Sequence, residues 1–302
     1  YQEEEGMVLS TALDKYIYIT VNDRFDESYR LSYSKTEICQ SIEQIEHPIF
    51  KTVLQKYAPK GRGLELISMA DIPSGTGLGS SSSFTVGLLH AVKGHLGHFQ
   101  TAEDLAAEAS RIEIEDLKEP IGKQDQYAAA FGGLSVIRFL PSGEVSVDPV
   151  ICSDSTRQNL ESSCLLFYTG VTRSASKILS EQKENTKSRI EYLREMKNFV
   201  PQMKSILEKG SDLSSFGELM HQGWLLKKQM ASGVSNPQID DWYDRARGAG
   251  AWGGKILGAG GGGFLLVLAD PAQHGHIKES LKELRPIPMK FEKWGSKIIF
   301  VG

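Results

Sequence analysis

A hydroxyl-rich glycine loop and two carboxylates hold the chemistry that can be read from this chain. The loop is Pro73-Ser74-Gly75-Thr76-Gly77-Leu78-Gly79-Ser80-Ser81-Ser82-Ser83, in which three glycines alternate with other residues before four serines. Alternating glycine frees the backbone for conformations that a Cβ forbids and lets it approach a ligand closely. Directly after it, Phe84, Leu88, Ala91, Val92 and Leu96 recur at helical spacing, and Gly97 can stop the helix. A loop that runs into a helix N-terminus offers free amides and the positive end of the helix dipole, which suits a phosphate. The stretch from Pro73 through Gly75, Gly77, Leu78, Gly79, Ser80 and Ser81 to Ser82 is therefore a candidate phosphate cradle. A glycine-serine linker has the same composition, but this loop is short and sits between the apolar segment 64–69 and an amphipathic helix. No Gly-Lys-Ser/Thr closes it, so it is not a Walker A loop.

Glu113 precedes Asp125 by twelve residues, and Asp125 lies in the polar cluster Lys123-Gln124-Asp125-Gln126 just before very small residues. Spacing alone leaves Glu113 on a solvated helix face shared with Glu115 and Asp116, and leaves Asp125 as a helix cap. Beside a phosphate loop the pair acquires another reading. Phosphoryl transfer needs a metal on the phosphates and a carboxylate that receives or orients the acceptor hydroxyl. Magnesium takes hard oxygen ligands, often one or two protein groups completed by phosphates and water.

The elements that must position these groups follow from the pattern. Residues 7–22 alternate like one long strand, with Leu13, Lys15, Ile17, Ile19 and Val21 on one face and Tyr16, Tyr18 and Thr20 on the other. A returning strand is predicted over 28–34, a helical region over 36–58 interrupted at His47-Pro48, and a strand over 61–71 that enters the glycine loop. The helix over 81–96 leaves it. Thr101-Ala102-Glu103-Asp104 is a capping-box-like start for a second helix, which carries Glu113. Segments 134–140 and 145–150 read as a hairpin around Pro141-Ser142-Gly143. The polar stretch 153–163 is the expected domain boundary, giving domains 1–157 and 158–302. Beyond it come a strand over 164–168, a helical region over 174–209 bent at Pro201, and a helix over 216–231. Asn236-Pro237 opens a helix ending near Gly248. A strand over 264–268, a helix over 272–284 and a strand over 298–301 close the pattern.

Two stretches satisfy GxGxxG, Gly248/Gly250/Gly253 and Gly258/Gly260/Gly263. A dinucleotide fingerprint needs a strand before it and a helix after it, and an apolar strand follows Gly263. Gly258 to Gly263 reads instead as a turn between strands, admitting either a ligand or simply tight packing. Arg173 follows Thr169-Gly170 at the start of a long helix. With Thr172, Ser174 and the free amides it forms a candidate anion site; a surface pair with a glutamate is the alternative.

A chain of 302 residues has room for two domains. Its net charge of −4 gives no reason to expect nucleic acid or an anionic membrane as partner. Cys39, Cys152 and Cys164 are widely spaced and fit no metal pattern, so they read as reduced thiols in a cytoplasmic protein. No apolar run approaches the ~20 residues of a membrane span.

Three segments, in this order, resemble motifs of the GHMP small-molecule kinases. Pro73 to Ser83 is similar to the second motif of that family, Gly122-Lys123-Gln124-Asp125-Gln126 to its catalytic-aspartate segment, and Lys255 to Phe264 (KILGAGGGGF) to its third motif. The likeness extends across the whole chain. Asp14-Lys15-Tyr16 and Gly170-Val171-Thr172-Arg173-Ser174-Ala175 resemble the branch that acts on heptose 7-phosphate, with the L-fucose kinases as near relatives. The resemblance implies an α+β fold of two domains, one like domain 2 of ribosomal protein S5 and one ferredoxin-like. It implies an ATP- and magnesium-dependent kinase acting on the anomeric C1 hydroxyl of a sugar phosphate, with L-fucose as the alternative acceptor. Ser81 and Glu113 would hold magnesium, Asp125 would be the general base, and Gly260, Gly261 and Gly262 would shape the site near the substrate. The first family motif, a strand with a basic residue and a glycine-rich turn, is expected upstream of Tyr1. The family's ATP-dependent decarboxylases and a non-catalytic sensor on the same scaffold are the other readings. A sensor could dispense with Glu113 and Asp125, and both are present.

Overall fold

The computed structural model describes residues 3–171 and 175–302. Two compact units interleave along the chain. Unit 1 takes the residues up to Thr11, Ser74–Leu78 and Leu134–Phe291; unit 2 takes Ala12–Pro73, Gly79–Gly133 and Glu292–Gly302. The sequence pattern pointed to one cut, at 157/158, where the structure has a continuous helix.

The expected long strand over 7–22 is two strands, β1 (Gly6–Leu13) and β2 (Ile17–Asp23), which enter different sheets. The break lies at Asp14-Lys15-Tyr16. There the Tyr16 amide donates to the Asp71 carboxylate at 2.9 Å, and the Asp71 amide donates back to the Tyr16 carbonyl at 3.0 Å. Alternation of polarity sees strand character on both sides of such a turn but not the turn itself.

In unit 2 the chain continues through β3 (Tyr29–Ser32) and β4 (Thr36–Cys39), a short 3-10 turn, and α1 (Pro48–Tyr57). The first part of the region expected to be helical is thus a strand, with Glu37 and Cys39 buried and Thr36 and Ile38 exposed. Pro48 starts a helix rather than interrupting one, since its missing N–H is not needed in a first turn. Next come β5 (Leu64–Ala70), α2 (Ser80–His95), α3 (Ala102–Arg111) and α4 (Gln124–Phe131). The predicted capping box is present, with Thr101 and Asp104 bonding reciprocally. The sheet order is β2-β5-β3-β4, and α2 lies on it where Gly87 admits the Ile19 side chain.

Unit 1 holds the predicted hairpin, β6 (Leu134–Phe139) and β7 (Val145–Pro149), and then α5 (Asp154–Ser163). The stretch expected to be the domain boundary is this helix. Ser153 caps it, accepting from the Thr156 amide at 3.0 Å, and Thr156, Leu160 and Ser163 form one buried stripe. A mostly polar helix with a narrow apolar stripe reads as loop by composition. After β8 (Cys164–Tyr168), the single long helix expected over 174–209 is two, α6 (Ala175–Asn185) and α7 (Ile190–Lys209); Pro201 lies within α7. Then follow α8 (Leu213–Lys228), α9 (Pro237–Gly248), β9 (Ala251–Ile256), β10 (Phe264–Ala269), the short α10 (His274–Ser280), β11 (Arg285–Ile287) and β12 (Phe291–Glu292). Two sheets result, β12-β1-β6-β7 and β11-β8-β10-β9. Trp224, Phe167, Trp242, Leu265 and Val267 fill a buried core against the second.

Residues beyond β12 return to unit 2. The Ser296 amide donates to the Ala129 carbonyl at 2.9 Å, the Ser296 hydroxyl meets His90 Nδ1 at 2.9 Å, and Ile298 lies on Gly94. No strand forms over 298–301, where Ile299, Phe300 and Val301 are exposed. Among the described residues no helix is long and apolar enough to cross a membrane. Cys39, Cys152 and Cys164 are free thiols.

Candidate active site

The glycine loop takes the backbone that its sequence requires. Gly75, Gly77 and Gly79 have φ of +75°, +83° and +69°, the left-handed region. Gly79 is the N-cap of α2, and the first α2 bond runs from the Ser83 amide to the Gly79 carbonyl at 2.9 Å. Amides ahead of that bond have no partner within the helix. Gly79 has a second role. A Cβ there would stand 3.3 Å from the Asp125 side chain, so a glycine lets this half-buried carboxylate lie against the start of α2. Asp125 is in the first turn of α4 rather than at its cap position, which Lys123 occupies.

Glu113 is not on a solvated face. It is 1% exposed, while Glu115 and Asp116 are exposed as expected. The cause is a π-turn over Ile112–Asp116, a widened turn of a kind often found at functional sites, which ends α3 before the predicted point. Inside, Ser81 Oγ donates to Glu113 Oε1 at 2.7 Å and Gln126 Nε2 donates to Oε2 at 2.6 Å. Burial pushes the Glu113 carboxyl above its ordinary pKa; bonds from Ser81, Gln126 and Ser82 pull the other way, and the Asp125 charge adds to the rise. Ser81 is exposed and Ser82 buried. Gln126, 0% exposed, is the member to which motif reading gave no role, although it follows Asp125 directly.

Among the described residues no group of three or more His, Cys, Asp or Glu could hold a metal alone. The Glu113 carboxylate and Ser81 hydroxyl are hard donors in contact with each other. They fit a cation that draws its other ligands from phosphates and water.

In unit 1 the turn after β9 is built from backbone. Gly258, Gly260, Gly261, Gly262 and Gly263 all have positive φ. A Cβ on Gly258 would stand 2.6 Å from Gly77 Cα, one on Gly77 would stand 2.7 Å from the Leu257 carbonyl, and one on Gly263 would collide with the Thr76 carbonyl. Gly260 and Gly262 give the same close approach to Val234 and Val171. The Gly261 amide donates to the Val234 carbonyl at 2.9 Å and the Gly263 amide to the Val171 carbonyl at 2.7 Å. Gln182 and Lys227 donate to the carbonyls of Ala259 and Gly258. Of the two readings left open for this turn, tight packing accounts for these contacts. Neither GxGxxG stretch has a strand before it and a helix after it. Thr172 and Arg173 lie outside the described residues.

Against this geometry, two family profiles match, "GHMP kinases N terminal domain" over residues 40–133 and "GHMP kinases C terminal" over 201–286. The chain belongs to the GHMP kinases and has their two-domain α+β fold. It is a phosphotransferase with an alcohol acceptor, a sugar kinase of a family that uses ATP. It is 30% identical to the D-glycero-alpha-D-manno-heptose 7-phosphate kinase of Campylobacter jejuni, over 92% of this chain and 86% of the relative. It is also 30% identical to the L-fucokinase/L-fucose-1-P guanylyltransferase of Bacteroides fragilis, over 76% of this chain but only 24% of that longer protein. The crystal structure of a D-glycero-D-manno-heptose 1-phosphate kinase from Bacteroides thetaiotaomicron superposes with a TM-score of 0.78 at 26% identity, covering 96% of this chain and 89% of that one.

Proposed function

We propose that this chain transfers the γ-phosphoryl group of ATP to the anomeric C1 hydroxyl of D-glycero-D-manno-heptose 7-phosphate, yielding the 1,7-bisphosphate for nucleotide-activated heptose synthesis. The observation that carries this reading is the 30% identity, over 92% of the chain, to a heptose 7-phosphate kinase. Asp125 takes the proton of the acceptor hydroxyl. The backbone of Gly75, Gly77, Leu78, Gly79, Ser80 and Ser82, entered from Pro73, cradles the phosphates. Glu113 and Ser81 hold magnesium, which when bound neutralises charge on the transferring phosphoryl group. Thr172 and Arg173 receive the distal phosphate. Gly260, Gly261 and Gly262 shape the acceptor side through the Val171 and Val234 segments they hold. The three free thiols support a place in the cytoplasm.

A second reading, L-fucose 1-kinase, is favoured by the Bacteroides fragilis relative. Steady-state ADP release with heptose 7-phosphate, the unphosphorylated heptose and L-fucose separates the two, and phosphorus NMR of the product locates the new phosphate. Heptose 7-phosphate should have the highest kcat/KM, and a preference for L-fucose would overturn the first reading. Arg173→Ala should raise KM for the sugar phosphate roughly tenfold, since a charge-assisted bond contributes ~1.5–3 kcal/mol. Affinity for ATP should hardly change.

A further inference from the structure

We propose that Gln126 is a positioning residue that sets the metal affinity of this kinase by fixing the orientation of the Glu113 carboxylate. The proposal rests on the reading of Glu113 as a magnesium ligand and adds a residue to it.

Gln126 is 0% exposed, and a long amide side chain is costly to bury unless it is hydrogen-bonded. Its Nε2 donates to Glu113 Oε2 at 2.6 Å. Its Oε1 is also buried and has no hydrogen-bond partner among the described residues. The side chain is thus held on its donor side alone. Turning the amide over would set its carbonyl oxygen against the carboxylate, so Glu113 dictates which way the amide faces.

A single hydrogen bond leaves a carboxylate free to swing about the bond that joins it to the chain. Glu113 is bonded at both of its oxygens and from different helices, with Ser82 as a further partner on α2. Ser81 Oγ on α2 bonds Oε1 at 2.7 Å, and Gln126 on α4 bonds Oε2. Together they fix the plane of the group. The backbone beneath Glu113 is the widened π-turn Ile112–Asp116, so the side chain's partners carry much of the orientation. Ser81 is itself a candidate ligand and becomes a shared partner once a cation binds. Ser82 belongs to the loop read as the phosphate cradle, so Gln126 is the anchor that comes from outside that loop. Gln126 also adjoins Asp125 in the first turn of α4, so one turn of helix places both the base and the anchor of the metal carboxylate. Partners of this kind, one step removed from the metal, typically change metal affinity or activity by 10–100-fold when lost.

The test is a double-mutant cycle on the full chain with Gln126→Leu, Glu113→Gln and the pair. Manganese binding is followed by electron paramagnetic resonance with a non-hydrolysable ATP analogue present, alongside the magnesium concentration for half-maximal activity and the melting temperature without metal. Q126L should weaken manganese binding by roughly 10–100-fold and shift the magnesium requirement likewise, with activity partly recovered by added magnesium. In the E113Q background Q126L should add no further loss, because residues acting through one group are not additive. A Q126L protein with a lower melting temperature and unchanged manganese affinity would make Gln126 merely structural and overturn the proposal. If E113Q leaves manganese binding intact, the metal reading of Glu113 fails, and the role of Gln126 fails with it. Should Q126L not fold, Gln126→Asn, which keeps an amide but withdraws it, gives the same readout.

Discussion

The carboxylate cluster of unit 2 and the glycine turn of unit 1 are assembled in opposite ways. Glu113, Ser81 and Gln126 are joined by side-chain hydrogen bonds. The turn at 258–263 meets Thr76, Gly77, Val171 and Val234 backbone against backbone, through glycines that leave no room for a methyl group. In the first region one altered atom changes charge or orientation while the chain trace persists. In the second, any added atom must move the chain. Chemistry is therefore adjustable where side chains make the contacts, and geometry is enforced where they are excluded.

The largest expected effect is at Asp125. Asp125→Asn keeps the size and removes the charge, and kcat should fall by ~10²–10⁴ with nucleotide affinity little changed. Steady-state kinetics with a nucleotide titration checks this, and a drop below roughly tenfold would leave Asp125 only orienting the acceptor. Next comes the backbone-held region. Gly263→Ala meets both a φ of +84° and the Thr76 carbonyl, whereas Gly75→Ala has a φ of +75° and open space. Urea unfolding should show a loss of about 3 kcal/mol or more for the first and about 1 kcal/mol for the second. Equal losses would mean that backbone contact does not set the cost of an added atom at the glycine turn. Glu113→Gln should then raise the magnesium needed for half-maximal activity by about 100-fold, no less than Gln126→Leu does, with Ser81→Ala acting in the same direction but less. Full activity of E113Q at limiting magnesium would count against the assignment.

The smallest effect is on pH dependence. Burial holds the His90 imidazole below its ordinary pKa, and its Nδ1 faces the Ser296 hydroxyl. The unfolded chain binds the His90 proton at a higher pH than the native protein does. Its contribution is therefore complete above the ordinary imidazole value of 6.5 and declines as the pH falls through and below it. Protection against hydrogen exchange at 293–298, taken relative to the intrinsic amide rate at each pH, should fall between about pH 7 and pH 5, and His90→Gln should flatten that slope.

The elements that carry the candidate site were legible because their signals are local. The glycine loop, the helix it opens and the Thr101–Asp104 box each depend on residues a few positions apart, and each stands where the sequence put it. Glu113 was found as a candidate, but its burial was not, because the partners that meet it inside, Ser81 on α2 and Gln126 on α4, are remote in sequence. Gln126 was missed for the same reason, since its partner lies thirteen residues away. The division of the 7–22 strand depends on Asp71, far along the chain. The partners of the glycine turn, Thr76, Val171 and Val234, are likewise remote in sequence. Arrays of glycine announce close approach without naming what approaches.

The segment that follows β12 has a consequence for the order in which the molecule is made. Unit 2 begins at Ala12, yet α4, with Asp125 and Gln126 in its first turn, is backed at its other end by Ser296. A ribosome delivers every residue of unit 1 before it delivers that one. The nascent chain can complete unit 1 first and must leave the unit holding the carboxylates unfinished until translation has passed residue 296. Phosphoryl transfer is thereby deferred until residue 296 has been delivered.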